Sequence, residues 1–127
     1  MRTEVDIPLI GVVGPCTAGK TTLIQGLKTI GITARHIAQE HSFVPTMWQK
    51  ITNPDVLIFL DVSYPESLKR RKINWNEAEY LEQRRRLAHA LAHADYYIHT
   101  DSLTPTVILE QVLAFLENHY PALRLQK

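Results

Sequence analysis

Apolar residues in this chain follow two rhythms. Residues 7–13 are almost continuously apolar, and residues 55–61 repeat the form as Asp-Val-Leu-Ile-Phe-Leu-Asp. Such runs suit strands of a parallel sheet, which is covered on both faces and needs no polar side. Elsewhere the spacing is helical. Leu23, Ile24, Leu27 and Ile30 share one side of a predicted helix over 20–30, with Gly31 as its left-handed stop. Residues 32–38 carry a shorter strand signal, and 39–52 predict a loop with a short helix. Residues 95–100 predict a last strand.

Helix starts are marked by capping residues. Ser63-Tyr64-Pro65-Glu66 has the form of a capping box that opens a short helix to about residue 71. Asn76 and Glu79 form a second box ahead of a long helix over 77–94, with Trp75 and Tyr80 at the two positions of a hydrophobic staple. Thr104-Pro105 opens a closing helix whose Val107, Ile108, Val112, Phe115 and Leu116 turn to the core. Alternating strands and helices predict an α/β three-layer sandwich: one domain over 1–127, with a mostly parallel sheet of about four to five strands. Its ligand crevice is expected outside the C-terminal strand ends.

Bulk composition narrows the classes. The 127 residues carry a formal net charge of +1, so no overall field argues for nucleic acid or membrane binding. No segment approaches the roughly 20 apolar residues that span a bilayer, and residues 1–6 lack the apolar stretch of a secretory signal. The only cysteine is Cys16, which excludes an internal disulfide, is expected to exclude a cysteine-based zinc site, and fits a cytoplasmic location.

The chemistry concentrates after the first strand. Gly14-Pro15-Cys16-Thr17-Ala18-Gly19-Lys20-Thr21 fits the phosphate-binding loop G-x-x-x-x-G-K-[ST] at every fixed position, between a strand and an amphipathic helix. In that setting the glycines let backbone N–H groups turn toward phosphate oxygens. Lys20 supplies a charge near the β- and γ-phosphates, and the Thr21 hydroxyl can join a Mg²⁺ shell. The helix start at Lys20 and Thr21-Thr22 adds its positive end. This predicts a P-loop NTPase fold binding ATP or another nucleoside triphosphate with Mg²⁺.

Three stretches make the chain resemble small P-loop kinases of the nucleoside and nucleotide monophosphate kinase group. They are the loop over 14–22, the run 53–66 with Lys69-Arg70-Arg71, and the run 94–101. The resemblance implies γ-phosphoryl transfer to a small acceptor, with 53–71 as the strand leading to a basic lid and 94–101 preceding a loop that touches the donor adenine. Two departures stand beside it. Only residues 39–54 remain where these kinases insert an acceptor-binding segment of several dozen residues, and the Asp-Arg pair that commonly follows their third strand is missing. The acceptor is unidentified, and a homo-oligomer that completes the site is one expectation. A regulatory or assembly module that binds nucleotide with weak or no turnover is the alternative, and slow ATP or GTP hydrolysis is a third, with the guanine-specific Asn-Lys-x-Asp motif absent.

Other residues carry two readings each. Glu40 follows the second strand, where an acid can orient the acceptor or a metal-bound water; otherwise it is a solvated loop residue. Asp61 ends an apolar strand as a metal-binding acid does in P-loop enzymes, or is structural. Arg70 and Arg71 can stabilise charge on the transferring phosphoryl group, or form a basic turn in which Glu66 pairs with Arg70. Arg84, Arg85 and Arg86 read as a mainly solvated face with a Glu82–Arg86 pair. His89 and His93 have zinc-capable spacing but no third ligand, so packing is preferred. His36 and His41 flank Glu40. Trp48 lines an acceptor pocket or fills the core.

Overall fold

The structure is a computed structural model and describes residues 7–70 and 75–121. Four strands form one parallel sheet: β1 (Ile10–Val13), β2 (Ala34–His36), β3 (Val56–Asp61) and β4 (Tyr96–His99), in the order β2-β1-β3-β4. Ile10 lies opposite both Ala34 and Val56, and Ile58 opposite Tyr96. From β1 the chain leaves toward β2, and from β3 toward β4. The connections diverge between the C-terminal ends of β1 and β3, which is where a crevice opens in such sheets.

Among the described residues five helices accompany the strands: α1 (Lys20–Thr29), α2 (Met47–Ile51), α3 (Tyr64–Arg70), α4 (Glu77–His93) and α5 (Pro105–His119). A 3-10 turn at Gln39–His41 follows β2. Successive strand residues face opposite ways, and the central strands are apolar on both sides. Ile10, Val12, Ile58 and Leu60 pack with Leu23 and Leu27 of α1 and Val112 and Leu116 of α5. Val13, Leu57 and Phe59 pack with Trp48 of α2 and Leu87 and Ala90 of α4. Two apolar layers therefore enclose the sheet, as the uninterrupted strand runs require.

The expected elements form, with shorter strands. β1 and β2 begin later than the apolar runs, at residues 10 and 34. Asp55 and Asp95 lie just outside the strands they precede, and each carboxylate accepts a backbone N–H of a neighbouring segment, from Leu9 and Leu57, both at 2.7 Å. Gly31 stops α1 in the left-handed region at φ 86°. Its N–H reaches the Lys28 carbonyl, and that of Ile32 reaches Leu27, which is a Schellman closure.

Both halves of the Asn76–Glu79 capping box are present, and the Trp75 and Tyr80 rings meet edge to face at 5.9 Å. The box expected at Ser63 is only half formed. Ser63 Oγ accepts the Glu66 N–H at 3.3 Å, but the Ser63 N–H goes to Asp101 at 2.9 Å, and Glu66 turns instead to Arg70. No helix among the described residues is long and apolar enough to cross a membrane.

Candidate functional site

Gly14 leaves β1 at φ 152°, and Thr17 and Gly19 also take positive φ, at 71° and 105°. These reversals curl the loop above the diverging strands. Gly14 is required there on two counts: its φ is unfavourable for any side chain, and a Cβ would stand 2.0 Å from the Leu60 carbonyl oxygen. Gly19 caps α1 without a side chain, and no acid occupies the first turn. The helix thus presents its N-terminal donors unoccupied by its own residues, which suits an anion. By contrast α4 and α5 are capped by Asn76 and Thr104. Beyond the loop lies a cavity of about 420 Å³ bounded by residues 16–22 with His36, His41 and Arg70. Thr21 and Thr22 are exposed along it.

Lys20 and Glu40 meet beneath that cavity. Lys20 Nζ donates to Glu40 Oε2 at 2.8 Å and to the carbonyls of Gly14 and Pro15. Lys20 is 6% and Glu40 2% exposed, so the charges share a site largely removed from water. Such a pair is held by mutual attraction and hydrogen bonds that offset desolvation. Among the described residues, Glu40 Oε1 and Thr17 Oγ1 are buried without a hydrogen-bond partner. Arg86 donates to the Glu40 carbonyl at 3.3 Å. Glu40 is therefore not a solvated loop residue.

Gln83 of α4 anchors the loop from the other side. Its Oε1 accepts the Cys16 N–H at 3.0 Å, and its Nε2 donates to Cys16 Sγ at 3.1 Å. The sequence did carry a signal for it: Tyr80, Gln83, Leu87 and Ala90 share the buried face of α4 by helical spacing. Beside Cys16, His41 Nε2 lies 3.9 Å from Sγ and 3.8 Å from Glu40 Oε2. His36 has its pKa lowered, chiefly by burial and then by the Lys20 charge, against a smaller opposing effect of Glu40.

Arg70 closes the cavity from α3. It donates to the Thr17 carbonyl at 3.1 Å and to the Thr100 hydroxyl at 2.9 Å, while Nε pairs with Glu66 at 3.1 Å. Arg71 lies outside the described residues. Next to Arg70 a more apolar pocket of about 200 Å³ continues between Gly19, Leu23, Leu103 and Ile108. Asp101, just past β4, lines this pocket, and Thr100 beside it holds Arg70. Asp101 is held below the usual carboxylate range: burial opposes its charge, but the bonds from Ser63 and the nearby His99 and Arg70 outweigh burial.

Asp61, which the sequence offered as either a metal ligand or a structural acid, has both its oxygens engaged by protein donors. Arg84 donates to both its oxygens, at 2.6 and 3.2 Å, Tyr97 donates to Oδ2 at 2.7 Å, and the Val62 N–H to Oδ1 at 2.9 Å. Burial, then the bond and charge of Asp61, push the Tyr97 hydroxyl up to about 12. The bond to Asp61 holds Arg84 more firmly protonated. The arginine cluster is accordingly not one solvated face. Arg85 is exposed, Arg84 reaches Asp61, and Arg86 pairs with Glu82 at 3.0 Å and lies over the Phe43 ring.

Trp48 is buried, and its Nε1 donates to His89 Nδ1 at 3.0 Å. His89 and His93 stack at 4.3 Å beside it, which is the packing role preferred from the sequence. Compared with protein-family models, with curated proteins and with solved structures, the chain gives no significant match to any of the three.

Proposed function

We propose that this chain is an ATP-binding P-loop protein of kinase type, which transfers the γ-phosphoryl group to a small acceptor in a reducing, cytoplasmic compartment. The observation that carries the reading is the uncapped start of α1 beneath a curled loop, with a buried lysine held by carbonyls of that loop. A polyanion entering the cavity would exchange the Lys20–Glu40 contact for a Lys20–phosphate contact, and the buried Glu40 carboxylate would then need a bound cation to offset its charge. The pocket beside Leu23, Leu103 and Ile108 is of a kind to take the flat apolar face of a base. Glu40 then orients the acceptor hydroxyl, and Arg70 faces the transferring group.

The donors suit Mg²⁺. Thr21 offers an exposed hydroxyl at the cavity, and Glu40 a carboxylate oxygen with no hydrogen-bond donor. When bound with the nucleotide, the ion neutralises charge on the phosphate oxygens. Asp61 is left out of this shell because Arg84, Tyr97 and Val62 occupy its oxygens.

A second reading is a nucleotide-binding regulatory or assembly module. It is favoured by the segment between β2 and β3, which holds only a 3-10 turn and the five-residue α2. Calorimetry with ATP, GTP and ADP tests what both readings share. Binding lost in Lys20→Ala supports them, and no heat from any nucleotide overturns both. Labelled ATP offered with nucleosides, nucleotides and small alcohols then separates transferase from module.

A further inference from the structure

We propose that Cys16, Glu40 and His41 form a binding site for a borderline-soft divalent cation of the Zn²⁺ class at the mouth of the loop. This inference does not depend on nucleotide binding. The three residues come from two elements that only the fold brings together: the curl after β1 and the 3-10 turn after β2. Each offers one ligand atom, and these atoms all lie within 4.8 Å of one another.

The donor set selects the metal. A thiolate and an imidazole favour zinc over magnesium or calcium, which prefer all-oxygen shells. Tetrahedral zinc with ordinary bond lengths places sulfur and imidazole nitrogen about 3.6 Å apart, and nitrogen and carboxylate oxygen about 3.4 Å apart. The observed separations are 3.9 Å from Sγ to Nε2 and 3.8 Å from Nε2 to Glu40 Oε2, the oxygen that Lys20 also holds, with the sulfur–carboxylate separation inside 4.8 Å. His41, whose side chain is 61% exposed, can turn to shorten the two edges it shares. Three protein ligands leave a fourth position for water or an incoming oxygen ligand.

Two further observations point to a cation. Glu40 is 2% exposed, yet among the described residues its Oε1 has no hydrogen-bond partner, so the carboxylate offers a metal an acceptor beside the Oε2 that Lys20 holds. Gln83 donates from Nε2 to Cys16 Sγ while its Oε1 holds the Cys16 N–H, which fixes the sulfur in place. The charges also allow it. Thiolate and carboxylate bring two negative charges against the single Lys20 ammonium, and the thiol proton passes to water when the metal binds.

The full-length chain titrated with Co²⁺, without nucleotide, gives the test. Cys16 is the only cysteine, so a thiolate-to-cobalt charge-transfer band reports this site alone. The band is expected to appear with one equivalent and to be displaced by Zn²⁺. It should vanish in Cys16→Ser, and His41→Ala should weaken Co²⁺ binding roughly tenfold or more. Circular dichroism checks that both variants fold. A folded wild type without the band overturns the proposal, as does unchanged affinity in His41→Ala. Cobalt absorption that lacks the sulfur band and disappears in His89→Ala also overturns it, by placing the ion on α4.

Discussion

Lys20 Nζ and Glu40 Oε2 lie 2.8 Å apart with both side chains almost wholly buried, so the lysine that opens α1 is held by an acid from the turn after β2. Removing either partner leaves a buried charge. Glu40→Gln should cost about 3 kcal/mol of stability, read by urea denaturation. Its effects on binding and turnover should diverge. Triphosphate affinity is retained or rises because Lys20 is released, while phosphoryl transfer falls about 100-fold. Lys20→Ala should weaken triphosphate binding at least about tenfold, the worth of one charge-assisted hydrogen bond. Equal turnover in Glu40→Gln and wild type would remove Glu40 from the catalytic group.

Gly14→Ala tests the curl of the loop. The new methyl meets the Leu60 carbonyl at 2.0 Å, and backbone cannot yield as a side-chain tip can. A loss of about 3 kcal/mol is expected from overpacking and the unfavourable φ together. A thermal melt matching wild type would show that the loop reaches its shape without Gly14.

Asp61→Asn distinguishes a structural acid from a metal ligand. Loss of the Arg84 pair should cost about 1–3 kcal/mol, less than a fully buried pair because Arg84 is a third exposed. The Tyr97 hydroxyl, raised to about 12, should titrate closer to its ordinary 10 once the carboxylate charge is gone. The Mg²⁺ dependence of triphosphate binding should not change. A shift in that dependence would return Asp61 to the metal shell.

His36 reports on the cavity near neutral pH. Burial and Lys20 lower its pKa below 6.5, so the folded chain takes up the proton less readily than the unfolded one. The contribution of this group to stability is complete above about 6.5 and declines as pH falls from there through the folded pKa. A bound polyanion acts in the opposite direction by favouring the imidazolium. Proton NMR of the His36 ring should therefore show its pKa rising when a triphosphate is added. An unmoved titration would mean that no phosphate lies near it.

Much of the fold was legible because its signals are local. Apolar runs marked β1 and β3, Gly31 closed α1, and the Asn76–Glu79 box opened α4. Strand ends were less legible, since Asp55 and Asp95 make their bonds to segments distant in sequence. Gln83 carried a readable signal, a polar residue on the apolar face of a helix, but its partner Cys16 did not. Arg84 had no such mark. Its neighbours Arg85 and Arg86 are chemically the same, and only helix phase against β3 sends Arg84 to Asp61.

By itself the amino-acid order determined a loop pattern, a helix start without a capping acid and strands apolar on both sides, all of which depend on residues within a few positions. The tertiary structure decided which charges meet. Glu40 lies on Lys20 because β2 and β1 are neighbours, and Asp61 is taken by Arg84 because α4 crosses the end of β3. Electrostatic pairing falls off over a few ångströms and ignores sequence separation, so it could be read only once the chain had folded.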